Sequence, residues 1–248
     1  LKDRIGSQIF THYPKSIALA REITEQEAKI SPEDKENILI PNIAKDLLEE
    51  VAFTARKSEY IDSKSGVSAR MSITAFENLI STAERRALIN NDATTSIRMS
   101  DFMGIIPAIN GKIELLYEGE QEGAEQISYH LISESIKTLF TDYFPKIEKL
   151  QKEDEVGPYD TILEWFFKDN ELFLEDVLPD RSYQDSLTLV SGIKEVLDTH
   201  LKGCDEKDRY FMMEFLLWGL ESNKKLNKYR TLEGFQFKDS LGSYISGL

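Results

Sequence analysis

The 248-residue chain is long enough for one large domain or two ordinary ones, and its apolar fraction of 41% suits a packed core. Its net charge of −14 disfavours a nucleic-acid backbone or anionic lipid as partner. No apolar run approaches the roughly 20 residues of a membrane helix, and the single Cys204 fits a reducing compartment. We therefore expect a cytoplasmic protein that binds neither nucleic acid nor membranes.

The first part of the chain predicts one strand followed by helices. Residues 3–14 alternate weakly in hydrophobicity and end at Pro14, which predicts a short strand leaving a sheet. Ser31 is typical of a helix cap, with Pro32 at the first helical position. Apolar residues recur here at every third or fourth position, as helices require. On that spacing we predict helices over residues 15–30, 31–40, 42–58 and 68–89.

The middle of the chain is more irregular. Residues 97–109 predict a short extended piece and then a helix capped by Ser100. Residues 111–123 predict a turn, an apolar segment and an acidic loop between glycines. The acids of this loop are interpreted as solvated, with contact to a partner protein as the alternative; they are Glu118, Glu120 and Glu122.

The remaining half of the chain is again mostly helical by pattern. The closing residues 234–248 predict either a short strand or a surface segment. Its aromatic clusters have helical spacing and are interpreted as core packing. The predicted helices cover residues 127–144, 161–170, 182–201 and 205–226. The predicted fold class is mainly α, with few short strands.

A catalytic site within this chain alone is not indicated. The three histidines, His12, His130 and His200, are far apart and lack metal-ligand spacing, so no metal site is expected. Cys204 has no neighbouring base and is interpreted as structural. The sequence also lacks a glycine-rich phosphate loop of the Walker type. We therefore expect that the chain by itself does not hydrolyse a nucleotide.

Arg70 is the residue that this pattern leaves unexplained. It stands where the helix 68–89 is predicted to begin, close behind Gly66. A cation is mildly unfavourable at that end of a helix dipole. Arg70 is either simply solvated or reaches for an anion outside the helix. The other arginines nearby are interpreted as solvated charges; they are Arg85, Arg86 and Arg98.

Two segments of the chain stand out together: Asp3-Arg4-Ile5 followed by His12-Tyr13-Pro14, and Gly66 to Met71. Both resemble segments of AAA+ ATPases in the magnesium-chelatase subunit I and MoxR clade. The first resembles the box and the strand that end the AAA+ core of that clade. Gly66 to Met71 resembles the start of the helix that carries the sensor arginine in the helical lid of these proteins. Ile97 to Phe102 loosely matches a Val-x-x-x-Asp-Val sequence that follows later in that lid. The resemblance covers about residues 1–123. Departures from the pattern are Ile5 for an aromatic residue, Ala69 for proline, and the absence of both Walker segments.

The resemblance implies a C-terminal piece of a longer ATPase that remodels a partner protein. It divides the chain into a core remnant at 1–14, a helical connector and AAA+ lid at 15–126, and a second helical domain at 127–248. Arg4 would be the arginine finger acting on the neighbouring subunit's nucleotide, and Arg70 the lid sensor that binds the subunit's own nucleotide.

The same resemblance implies cofactors and partners. ATP and Mg²⁺ would be bound by the full-length protein and by nothing in this chain alone. The partners would be further copies of the chain in a ring and a protein with a von Willebrand factor A-like domain. The alternative hypothesis is a non-enzymatic helical scaffold or adaptor. A Walker A loop and an acidic Walker B strand encoded upstream would favour the ATPase, and their absence would favour the scaffold.

Overall fold

The computed structural model describes residues 6, 7, 9, 11–62, 66–147 and 157–240. Eleven α-helices and five short strands form the regular structure of these residues, together with a 3-10 segment. The predicted mainly α fold class is therefore confirmed. None of the helices in these ranges combines the length and the hydropathy needed to cross a membrane.

The first half of the described chain contains six helices and a small parallel sheet, in which β1 pairs with β2. As predicted, Ser31 caps α2: its Oγ accepts the Asp34 N–H at 3.0 Å, and Pro32 occupies the first position. The helices are α1 Ile17–Glu27, α2 Pro32–Asn37, α3 Asn42–Lys57, α4 Arg70–Asn90, α5 Ile106–Asn110 and α6 Tyr117–Glu122, with the 3-10 segment at Met99–Ile105 and strands β1 Ile38–Leu39 and β2 Thr95–Ser96.

The second half contains five helices and a three-stranded antiparallel sheet. The strand order is β3–β5–β4, so the last strand along the chain lies in the middle of the sheet. Phe235 and Phe237 of that strand are buried, since they face the core. The elements are α7 Ala124–Tyr143, α8 Asp160–Phe167, β3 Leu172–Glu175, α9 Asp180–Thr188, α10 Ile193–His200, α11 Arg209–Ser222, β4 Leu226–Arg230 and β5 Gly234–Asp239.

Helix α7 joins the two halves of the core. It contacts α3 and α5 from the first half and α11 from the second. One hydrophobic cluster of buried side chains extends from Ile38 to Phe237. The boundary proposed between residues 126 and 127 falls inside α7. Buried side chains on both sides of that boundary thus belong to one continuous core.

Residues 182–201 form two helices, so the prediction of a single long helix is wrong. Helix α9 ends at Thr188 and α10 begins at Ile193. Gly192 between them has φ +85°, a conformation that favours glycine. A Cβ at this position would lie 2.8 Å from the Thr161 Cβ. The close approach of α8 and the backbone turn at Gly192 therefore interrupt the helical pattern.

Further local predictions differ from the structure. The acidic segment expected as a loop is helix α6. The helix expected from Ser100 is a 3-10 segment up to Ile105, and it is Asp101 whose Oδ2 accepts the Arg98 N–H at 2.8 Å. The helix expected over residues 31–40 ends at Asn37, because Ile38–Leu39 pairs with β2 as strand β1. Of the strand expected over residues 3–14, residues 3–5, 8 and 10 lie outside the described residues, and the remaining positions form no strand.

Gly219 in α11 provides a test of how tightly α7 and α11 pack. A Cβ at Gly219 would lie 2.1 Å from Phe140 Cδ2 of α7. We expect Gly219→Ala to lower the free energy of unfolding by about 1–2 kcal/mol, because overpacking outweighs the gain in helix propensity. Urea denaturation measures this. Phe140→Leu combined with Gly219→Ala should lose less than the sum of the two single changes, and strict additivity would argue against the contact.

Candidate functional site

Arg70 is the first residue of α4, on a backbone that is held in place from both sides. Val67 and Met71 are each only 1% exposed and anchor the turn and the helix in the core. The Ser68 N–H donates to the Lys112 carbonyl at 2.9 Å. The Arg70 N–H donates to Ser68 Oγ at 3.2 Å. The start of α4 is therefore a platform fixed by buried side chains and hydrogen bonds, and the exposed Arg70 side chain projects from it.

The Arg70 side chain is exposed, which both a solvated arginine and one that reaches for an anion require. Within the described ranges, no carboxylate lies within ion-pair distance of its guanidinium. The first turn of α4 also contains no acidic residue. The Arg70 guanidinium therefore lies, without an ion pair to any described residue, at the helix end where the dipole is positive. An anion in front of the helix would interact with both.

Tyr13 connects the two segments on which the resemblance rests. Its hydroxyl donates to the Val67 carbonyl at 2.7 Å, across 54 positions of sequence. The Arg56 guanidinium lies over the Tyr13 ring, 4.3 Å from its centroid. The chain therefore reaches the turn before Arg70 directly from residues 11–13. Arg4, the second predicted site residue, lies outside the described residues.

Polar side chains beneath the start of α4 were not anticipated from the sequence. Glu49 is 2% exposed and accepts hydrogen bonds from Thr24 at 2.5 Å and Ser72 at 2.8 Å. Burial raises the pKa of Glu49, and these two hydrogen bonds oppose the shift. Burial also lowers the pKa of Arg56, whose Nε and Nη1 have no hydrogen-bond partner among the described residues. Only the three-dimensional fold brings these groups together.

The Tyr13 contact can be tested by removing one hydroxyl. We expect Tyr13→Phe to lower the free energy of unfolding by about 1 kcal/mol, because the Val67 carbonyl loses its donor. We also expect faster amide hydrogen exchange in residues 67–71, which this contact restrains. Tyr117→Phe is the matched control, since that ring is 70% exposed. Equal exchange in both variants would show that Tyr13 does not hold the turn.

Two arginines interpreted as solvated are in fact buried. Arg86 is 3% exposed and Arg98 is 1% exposed, whereas Arg85 is exposed as expected. Arg86 forms an ion pair with Asp101, and its Nη2 donates to the Ser96 carbonyl at 2.6 Å. The prediction failed because the acidic partner lies 15 residues away and is brought close only by the fold.

Arg98 joins this buried cluster to the second half of the chain. Its Nη2 donates to Asp180 Oδ1 at 2.6 Å, and its guanidinium lies 4.2 Å from the centroid of Tyr183. The Tyr183 hydroxyl donates to the buried Glu214 at 2.6 Å. We define the buried ionic cluster as Arg86, Arg98, Asp101, Asp180, Tyr183 and Glu214. Five of these groups are buried between elements of both halves, which indicates a structural role, whereas Asp180 is 27% exposed and also lines an open cleft.

The remaining candidate groups show no arrangement for catalysis. Glu118, Glu120 and Glu122 are exposed on α6, and the three histidines are exposed on separate segments. Burial raises the pKa of the Cys204 thiol, which disfavours its reactive thiolate form. In the described ranges, no group of three or more His, Cys, Asp or Glu side chains is placed to bind a metal ion.

A cleft with a volume of about 820 Å³ does not include Arg70. It lies between the β1–β2 sheet and the α9 and α11 region, with Phe76 and Ile80 of α4 in its wall. Arg70 is exposed and lies outside this cleft. Comparison with protein-family models, curated protein sequences and solved structures found no match for this chain.

Proposed function

We propose that the chain is the lid-containing C-terminal part of a AAA+ ATPase similar to magnesium-chelatase subunit I and MoxR proteins. In this proposal, ATP hydrolysis by the full-length protein drives the remodelling of a partner protein. The chain alone is not catalytic, because the phosphate loop and the acidic strand that hold ATP and Mg²⁺ would lie in a core domain upstream. That core would precede residues 1–14, with the lid in 15–126 and the second helical part in 127–248.

The observation that carries the proposal is the exposed Arg70 at the anchored start of α4, where it forms no ion pair with any described residue. Phosphoryl transfer requires positive charge near the γ-phosphate as negative charge redistributes. A guanidinium is permanently charged and binds two phosphate oxygens at once. Arg70 on its fixed platform would orient that phosphate from the lid side of the cleft between core and lid.

The contact between Tyr13 and Val67 supports the position of the upstream core. The segment that would link core to lid lies against the turn just before Arg70. A domain attached through residues 1–14 would therefore have a connection close to the Arg70 end of α4. Arg4 in that segment would project from the core toward the nucleotide of the next subunit in a ring.

The partners proposed are further copies of the same protein in a ring and a protein with a von Willebrand factor A-like domain. Both follow from the resemblance carried by Asp3 to Pro14 and Gly66 to Met71. The runner-up is a helical scaffold without enzymatic activity, in which Arg70 is merely a solvated charge.

The coding sequence that precedes Leu1 distinguishes the two candidates. We expect a Walker A loop and an acidic Walker B strand within about 250 residues upstream, the size of an added core domain. An upstream sequence without both elements would reject the ATPase and leave the scaffold. The 248-residue chain itself should show no ATP hydrolysis above background.

A further inference from the structure

Arg56 lies beneath the ring of Tyr13 with two of its donors unsatisfied. Its guanidinium carbon is 4.3 Å from the centroid of the Tyr13 ring and 5.3 Å from the centroid of the Phe53 ring. Its Nε and Nη1 are buried and have no hydrogen-bond partner among the described residues. A ring over the face of a guanidinium does not accept its in-plane N–H groups. Because nearly all buried polar groups have a partner, these two donors need a physical explanation.

Covering Arg56 in this way costs free energy. A cation–π contact with a partly exposed ring is weak, and Tyr13 is 45% exposed. Burying two donors of a charged group without partners costs more than such a contact returns. The Glu49 carboxylate attracts the Arg56 guanidinium but forms no ion pair with it. The surroundings of Arg56 therefore oppose the docking of the Tyr13 ring.

Few contacts favour the docked position of Tyr13. Residues 11–13 are exposed, and residues 11–14 belong to no helix or strand. Of the hydrogen bonds that these four residues form with the described part of the chain, only the 2.7 Å bond from the Tyr13 hydroxyl to the Val67 carbonyl leaves the segment. One side-chain hydrogen bond contributes little net stability, so a segment held in this way opens easily.

The turn before Arg70 keeps its backbone bonds when Tyr13 leaves. On either side of Val67, the turn is paired with residues 112–114 through two backbone hydrogen bonds, of 3.2 and 2.9 Å. The Val67 carbonyl takes part in neither bond, and among the described residues it accepts only from Tyr13. Release of Tyr13 therefore transfers this carbonyl to water without unfolding the turn.

We propose that residues 11–14 form a reversible clasp on the turn before Arg70. In the closed state, which the structure shows, Tyr13 bonds the Val67 carbonyl and covers Arg56. In the open state, water hydrates both the carbonyl and the guanidinium. The hydrogen bond and the unsatisfied donors oppose each other, so the open state contains about a tenth of the molecules.

The clasp provides a means of regulation at Arg70. Under the proposed function, residues 1–14 connect the upstream core to the lid, so a movement of the core would pull Tyr13 away from the turn. The turn would then lose its outer contact, and the position of Arg70 would be less restrained. This consequence rests on the proposed function, whereas the clasp itself rests on the contacts of Tyr13 and Arg56.

Hydrogen exchange of the Arg56 Nε–H measures the open population, because the closed state buries this atom. In the isotope-labelled 248-residue chain, we expect this N–H to exchange about tenfold more slowly than the Nε–H of the exposed Arg70. The Arg56 signal in the NMR spectrum is identified by its loss in Arg56→Lys. Arg86 is the internal control, since its Nε is also buried without a partner but belongs to the buried ionic cluster. The Arg86 Nε–H should exchange at least about 10³-fold more slowly than that of Arg70, in the range of unfolding equilibria.

Tyr13→Phe connects the exchange to the clasp, because it removes the bond to Val67 and keeps the ring. We expect the protection of the Arg56 Nε–H to fall at least about threefold, whereas that of Arg86 stays unchanged. Tyr117→Phe is the matched control, since this ring is 70% exposed, and it should change neither protection.

Three results would overturn the clasp: exchange of the Arg56 Nε–H slowed by more than about 10²-fold, slowed by less than about threefold, or not accelerated by Tyr13→Phe. The first would show a segment that stays closed, and the second that Tyr13 does not cover Arg56. These measurements involve neither ATP nor an upstream domain, so their failure would leave the role proposed for Arg70 untouched. The absence of Walker elements upstream would remove the regulatory consequence and leave the clasp itself.

Discussion

Arg70→Ala is expected to lower ATP turnover by about 10³-fold or more in the proposed full-length ATPase. The reason is the loss of a permanent positive charge next to the γ-phosphate, where a transferring phosphoryl group needs it. Because Arg70 is exposed and forms no ion pair with a described residue, its removal should leave the fold intact. Steady-state turnover, together with an unchanged urea midpoint, measures both effects.

Arg85→Ala is the matched control for Arg70→Ala. Arg85 is an exposed arginine of the same helix, about 22 Å further along its axis. Its replacement should leave turnover unchanged, since it faces no proposed nucleotide. The ATP turnover of Arg70→Lys should lie between that of the wild type and that of Arg70→Ala, because lysine keeps the charge without the bidentate geometry. Full turnover in Arg70→Ala would remove this residue from the mechanism.

The second large effect concerns stability and the buried ionic cluster. We expect Asp101→Asn to lower the free energy of unfolding by about 3–5 kcal/mol, because it leaves the Arg86 guanidinium buried without its carboxylate. That is a large fraction of the stability of a typical domain. Asp101 also accepts the Arg98 N–H, so the start of the 3-10 segment would be weakened as well. Urea denaturation of the 248-residue chain measures the change.

Two comparisons test whether burial is the cause. Asp198→Asn breaks the ion pair with Arg209, in which the aspartate is 61% exposed, and should cost less than about 1 kcal/mol. Replacing both buried partners, as in Arg86→Met with Asp101→Leu, should recover much of the loss, because no charge is then left unpaired. Similar losses in Asp101→Asn and Asp198→Asn would contradict the structural role of the cluster.

The long helices could be predicted because their apolar residues repeat with one period over several turns. The three-stranded sheet could not, because β3 and β5 are about 60 residues apart and nothing local indicates their pairing. Arg86 shows an intermediate case. It follows Ala83 by three positions on the buried face of α4 and so carried a signal of burial. Nothing in the sequence indicated its carboxylate partner, Asp101, because that residue lies on another element.

The candidate site was predictable only in part. Arg70 and its helix could be read from the sequence, because a glycine turn and a serine precede a clear helical pattern. The contact of Tyr13 with Val67, by contrast, joins residues 54 positions apart. The buried Glu49 beneath the first turn of α4 likewise depends on the packing of α1 and α3 against that helix. Such groups become visible only once the helices are assembled.

The central claim is that Arg70 faces a nucleotide held by an upstream core. A structure of the full-length protein with a non-hydrolysable ATP analogue and Mg²⁺ tests it most directly. We predict the Arg70 guanidinium within about 3 Å of a γ-phosphate oxygen, the distance of a charge-assisted hydrogen bond. An occupied nucleotide site with Arg70 still directed to solvent, more than about 8 Å from any phosphate and so beyond a Debye length, would contradict the claim.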